Sequence, residues 1–160
     1  MSRTGTRAGA ALAIVFGLAA GTARAEERPF ALKGTATWDY VGNAFTEVGA
    51  NFDGVAQVTH LGKVGQGGTL YLDLGSATAA GIPGGGKVIL TAANGDTLTF
   101  DYEGLLDPNT GLGTGTLTFT GGTGRFTDAT GTGTFAAHLD FSNGFVGAPM
   151  AVTIEGTIDY

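Results

Sequence analysis

The residues that could do chemistry are few and scattered. His60 and His138 are the only histidines and the chain has no cysteine, so a metal site would need both imidazoles and a carboxylate, without a thiolate. No metal and no cofactor is expected. Ser76 and Ser142 are the only serines beyond residue 25, and neither stands in the tight glycine-flanked turn that exposes a nucleophile. Asp101 and Glu103 are spaced as paired carboxylates for general acid–base work. In Thr97-Leu98-Thr99-Phe100-Asp101-Tyr102-Glu103, however, they alternate with Leu98, Phe100 and Tyr102. Alternation assigns the carboxylates to a wet strand face and the apolar residues to a buried one.

Thr120-Gly121-Gly122-Thr123-Gly124-Arg125-Phe126 looks in isolation like a phosphate loop. That chemistry needs a strand before the loop, a helix N-terminus after it and an acidic residue about 20 positions on. A β-pattern follows here instead, which makes the segment a corner between two strands. Aromatic residues say more. Trp38, Phe52, Tyr102, Phe119 and Phe135 fall on the apolar faces of different strands. A small barrel either fills its lumen with such groups or leaves room for one apolar molecule. By alternation His60 shares a face with Phe52, Gly54, Ala56 and Val58 and is expected to point inward, while His138 points out. In an open lumen Trp38, His60 and Tyr102 would orient a ligand, with Phe119 and Phe135 beside them.

The elements that must position these residues are strands. Eight segments alternate with period two: 30–38, 52–61, 69–74, 87–92, 97–103, 113–120, 129–140 and 151–159. A helical pattern is confined to one turn at 76–80, stopped by the glycine–proline run that follows. Asn94-Gly95 between alternating runs is a strong hairpin signal. Asp107-Pro108-Asn109-Thr110-Gly111 and Ser142-Asn143-Gly144 read as further turns. Short turns between successive strands give an antiparallel meander, and 30 glycines spread along the chain supply the curvature for closure. The fold class is all-β: a single small eight-stranded antiparallel barrel.

Ahead of that barrel, Arg3 and Arg7 precede an apolar run at 8–20, and Ala23-Arg24-Ala25 offers a signal-peptidase site. Residues 1–25 are thus expected to be a cleaved signal peptide and 26–160 the domain, exported to the periplasm or beyond the cell. Without Arg3, Arg7 and Arg24, five basic residues face fourteen acidic ones, a net charge of −9. Such a surface repels nucleic acid and anionic lipid. The apolar run is too short to span a bilayer, which takes about 20 residues, so no stable membrane anchor is expected. An outer-membrane barrel is the weakest reading, because outward positions such as Asp101, Glu103 and Asp140 are charged.

Gly121-Gly122-Thr123-Gly124-Arg125-Phe126, followed by Asp128-Ala129-Thr130-Gly131, resembles the signature of the allene oxide cyclase and dirigent-like barrels of the calycin-like group. Thr59-His60-Leu61-Gly62-Lys63 and Thr91-Ala92-Ala93-Asn94-Gly95-Asp96 extend the resemblance to exported bacterial members, over roughly residues 50–140. It implies an eight-stranded barrel with a central cavity, often a homotrimer, acting on an apolar small molecule by binding, cyclising or isomerising it. It carries over no catalytic side chain to a position of this chain. The alternative is a non-catalytic structural or adhesive module with a solid core.

Overall fold

A computed structural model describes residues 26–44, 47–144 and 147–160. The expected signal peptide lies outside them. Eight strands follow one another: β1 (Arg28–Ala44), β2 (Glu47–Val58), β3 (Gly62–Asp73), β4 (Ile82–Thr91), β5 (Thr97–Asp107), β6 (Leu112–Gly122), β7 (Thr130–Leu139) and β8 (Ala148–Asp159). Every neighbour is antiparallel, and β1 pairs with β8 from Arg28↔Ile158 to Trp38↔Ala148 to close the barrel. No strand edge is left open, which removes the template for edge-to-edge association.

Most strands are longer than the alternating segments suggested, although β7 (Thr130–Leu139) is shorter than the expected 129–140. β3 begins at Gly62, not Thr69, and β4 at Ile82, not Lys87. Glycine reads as punctuation in a sequence, but here Gly65, Gly67, Gly68 and Gly84 to Gly86 sit inside strands. Of these, Gly68 and Gly84 to Gly86 serve curvature, since a β-carbon there would meet a neighbouring strand's carbonyl oxygen. At inward-facing Gly86 a β-carbon would stand on the Thr69 carbonyl oxygen of β3, and at Gly54 on the Thr35 carbonyl oxygen of β1. Only a residue without a side chain allows neighbouring strands to coil that tightly.

Turn chemistry connects them. Between β4 and β5 Gly95 takes φ +88°, and the Asn94 side chain bonds both the Asp96 amide and its carboxylate. Between β5 and β6 the Asp107 carboxylate accepts from the Asn109 amide at 2.9 Å and the Thr110 hydroxyl at 2.9 Å. Those bonds hold its pKa below the usual carboxylate value. No helical turn forms over 77–80, where Thr78 bridges Gly81; the 3₁₀ turn lies just before, at Leu74–Ser76.

One end of the barrel is plugged. Gly121 (φ +100°) lies where the β5–β6 register slips by a residue, and Gly124 (φ +59°) opens a second 3₁₀ turn, Gly124–Phe126. That corner folds Phe126, fully buried, into the barrel end. Thr123 ties it to β5 by accepting from the Thr97 amide at 2.9 Å. Above it Phe119 packs edge-on against Phe30 (4.8 Å) and Phe100 (5.7 Å), a geometry that aligns ring edges with ring faces. Leu90 and Leu98 complete this half of the core without exposure.

Outward positions are mostly polar. Thr114, Thr116, Thr118 and Thr120 of β6 face out beside Thr130, Thr132 and Thr134 of β7, and Asp101 pairs with Lys87 at 3.4 Å on the outer surface.

The curvature account has a direct check. Gly86→Ala should destabilise the barrel by roughly 2–4 kcal/mol, because strands rather than a flexible side chain must move. Gly65→Ala, whose β-carbon meets nothing within 4 Å, should stay within about 0.5 kcal/mol of the parent. Urea melts of the two variants measure the difference, and equal stabilities would refute the account.

Candidate functional site: a lumen at the open end

The half of the barrel away from Phe126 is not filled. A cavity of about 80 Å³ begins at Phe100, where the packed rings end, and reaches Leu106, Leu139 and Met150 at the ends of β5, β7 and β8. Three inward positions there are Gly84, Gly104 and Gly113, and Gly84 pairs with Gly104 across β4 and β5. Where these positions carry no side chain, the backbone itself forms the wall. The space follows from the same glycines that coil the strands.

Two polar side chains line this cavity, Tyr102 and Gln66. The Tyr102 ring crosses over Gly86, so its hydroxyl donates to the Thr69 carbonyl at 2.9 Å. Burial pushes the Tyr102 pKa well above the ordinary phenol value, and the neighbouring Tyr71 phenol pushes it the same way. The phenol therefore stays neutral throughout the physiological range. Gln66 is 5% exposed and donates through Nε2 to the Thr35 carbonyl at 3.1 Å. Phe135 stands edge-on to Tyr102 with ring centroids 5.4 Å apart. None of the lining residues is charged.

Of the residues singled out in the sequence, Phe52, Tyr102 and Phe135 line the cavity. Phe119 does not; it belongs to the packed half with Phe30 and Phe100. Trp38 is inward and 1% exposed, but it packs edge-on to Phe141 (5.4 Å) and stands outside the lining. His60 corrects the expectation most clearly. β2 ends at Val58, and the chain turns through His60 with φ +66°, so the alternation that pointed it inward has stopped two residues earlier. The exposed ring donates through Nε2 to the Pro29 carbonyl at 3.1 Å, at the plugged end. Its own carbonyl accepts from Arg125 Nη2 at 2.9 Å. That bond ties the Gly124–Phe126 corner to the β2–β3 turn, and the guanidinium also lies over the Phe126 ring at 4.7 Å.

His138, Asp101 and Glu103 are exposed, as alternation indicated. Among the described residues no three of His, Cys, Asp and Glu lie close enough to hold a metal ion. Gln66 escaped the sequence reading. The signal was the period-two series Val64, Gln66, Gly68, Leu70, Leu72, masked because three outward-facing partners are Gly65, Gly67 and Thr69.

This closed eight-stranded antiparallel meander is a barrel fold that comparison with solved structures shows to be shared with a dirigent protein. Among solved structures, the pterocarpan synthase dirigent protein GePTS1 superposes with a TM-score of 0.54 at 15% identity, over 84% of this chain and 87% of the relative. A second, PsPTS1, matches at a TM-score of 0.45 and 14% identity over 84% of this chain and 97% of its own. No protein-family model matches the chain. No curated protein matches it in sequence.

The Tyr102 bond sets a pH dependence. A raised folded-state pKa means that the unfolded chain releases the phenolic proton first, so stability is full below the unfolded value near 10 and falls as pH rises beyond it. Tyr102→Phe should lose about 1 kcal/mol at pH 7 and show a smaller stability loss between pH 9 and 11. Denaturant melts at those pH values check both; an unchanged alkaline slope would contradict the buried phenol.

Proposed function

We propose that the protein is an exported small-molecule binder that confines an apolar ligand, or the apolar part of a larger one, in the open half of its barrel. The observation that carries this reading is the cavity of about 80 Å³, apolar but for Gln66 and Tyr102. It is small beside the roughly 300–1,000 Å³ of drug-sized sites. An occupant must therefore be compact or leave part of itself at the mouth, and Met150 there is an unbranched side chain able to change rotamer at low cost. The finer reading, that confinement steers a cyclisation or isomerisation, is supported by the fold shared with a protein named as a synthase. The lumen of this chain supplies no carboxylate and no imidazole, so such steering would act through shape and hydrogen bonds.

Export to the periplasm or the medium rests on the apolar run at 8–20 and the Ala23-Arg24-Ala25 site. The outward threonines support a water-facing barrel, since a lipid-facing one carries an outer apolar band.

Xenon tests the cavity directly, because it enters apolar voids without needing a polar contact. Pressurised xenon should shift amide resonances around Met150 and Ile154 saturably and leave those around Phe126 in place. Ala137→Leu, which fills the space from its wall, should abolish the response while the fold still melts cooperatively; without saturable shifts in the parent the barrel is a solid structural module. Expressed from its full reading frame, the chain should be recovered from the cell envelope or medium with Glu26 as its first residue. N-terminal sequencing checks this, and recovery of an intact Met1 terminus from the cytoplasm would overturn it.

A further inference from the structure

We propose that the lumen selects uncharged ligands that bring a hydrogen-bond donor to Gln66, and that it turns anions away. The inference rests on the binding reading above and adds the chemistry of the ligand's polar end.

Gln66 is the one polar residue among the described ones that is more than nine-tenths buried. One N–H of its amide is committed to the Thr35 carbonyl, while its carbonyl oxygen has no protein partner among the described residues. That oxygen is not sealed from solvent, so a ligand donor would take the place of water on it. Tyr102 cannot be that donor. Its proton is already given to the Thr69 carbonyl and burial keeps the phenol neutral, so toward the cavity its oxygen only accepts. The lumen thus shows two acceptor oxygens and one spare amide N–H.

No cation lines the cavity. Arg28 and Arg125 lie over the Tyr160 ring at 4.9 and 5.8 Å, at the plugged end. Lys87 pairs with Asp101 on the outside, and Lys33 and Lys63 are exposed on the outer surface. A carboxylate entering this lumen would shed its hydration and meet acceptor oxygens in place of a counter-ion. The net charge of −9 that cleavage after Ala25 would leave adds long-range repulsion on approach. A hydrocarbon enters but leaves the Gln66 oxygen unmet. A compact alcohol or amide answers it.

The test uses a matched series, cyclopentanol, cyclopentane and cyclopentanecarboxylate, titrated at pH 7 into the mature protein and followed by the amide resonances around Ile154 and by the Gln66 side-chain NH₂ signals. Cyclopentanol should bind saturably and move the Gln66 signals, and the carboxylate should give no saturable shift. In Gln66→Leu the ratio of alcohol to hydrocarbon affinity should fall about tenfold, the loss of one hydrogen bond. Gln66→Met serves where the leucine variant does not fold. A ratio unchanged within about twofold in the folded variant, or a carboxylate that binds as tightly as the alcohol, overturns the selection. Entry of xenon together with an unchanged ratio sinks the selection alone, whereas exclusion of xenon and of both neutral ligands sinks the binding reading with it.

Discussion

At Gly54, Gly86, Gly104 and Gly115 a β-carbon would stand on a carbonyl oxygen of the neighbouring strand. Strands approach this closely only where they coil hard, and eight strands close into a narrow barrel only if they coil. The pairing of β1 with β8 depends on that curvature, as does the burial of every inward side chain from Phe30 to Ile158. Residue by residue, glycine in a strand costs backbone entropy and contributes no packing. The barrel accepts this cost because closure satisfies the backbone hydrogen bonds of all its strands and leaves no edge.

From that constraint the two halves diverge. Toward the corner at Gly121 to Phe126, inward positions carry large groups, and Phe30, Phe100, Phe119 and Phe126 fill the lumen. Toward the other end the inward positions Gly84, Gly104 and Gly113 carry none, and the rings of Phe52, Tyr102 and Phe135 line a cavity there without closing it, while Trp38 packs on Phe141. A filled core and an open one were alternative outcomes for a barrel of this size; the chain has one of each, stacked along the axis. The packed half anchors the strands from which Gln66 and Tyr102 project, so the polar groups of the cavity sit on rigid elements.

Much of the fold was legible because closure, alternation and turn chemistry leave local traces. The series Leu98, Phe100, Tyr102 placed Tyr102 correctly, and the Gly121 to Phe126 corner was readable from its glycines. What failed was local too. Alternation carried past the end of β2 put His60 in the lumen, since nothing in Thr59-His60-Leu61 announces a residue at φ +66°. Trp38 and Phe119 were rightly assigned to the interior but wrongly to a cavity, because which inward ring meets a void depends on the stagger of strands far apart in sequence. Gln66 was hidden by glycines on the opposite face of its own strand.

The lumen's lack of any group that ionises near neutrality limits what it can do. General acid–base chemistry needs a proton carrier with a pKa near the working pH, and a phenol held neutral by burial is far from that. The exposed carboxylates and imidazoles are on the wrong side of the sheet to help: His138, Asp101 and Glu103 face outward, and His60 lies beyond the plugged end. For the proposed binder what remains is selection by shape and by hydrogen bonds, which count for more in an apolar lumen than in water. Two polar side chains line the cavity, and the geometry of each is fixed by a backbone carbonyl on a neighbouring strand. For Tyr102 that carbonyl is Thr69, reached across Gly86; for Gln66 it is Thr35, beside which Gly34 leaves the amide its space. The glycines that close the barrel therefore also aim the two polar side chains that line its lumen among the described residues.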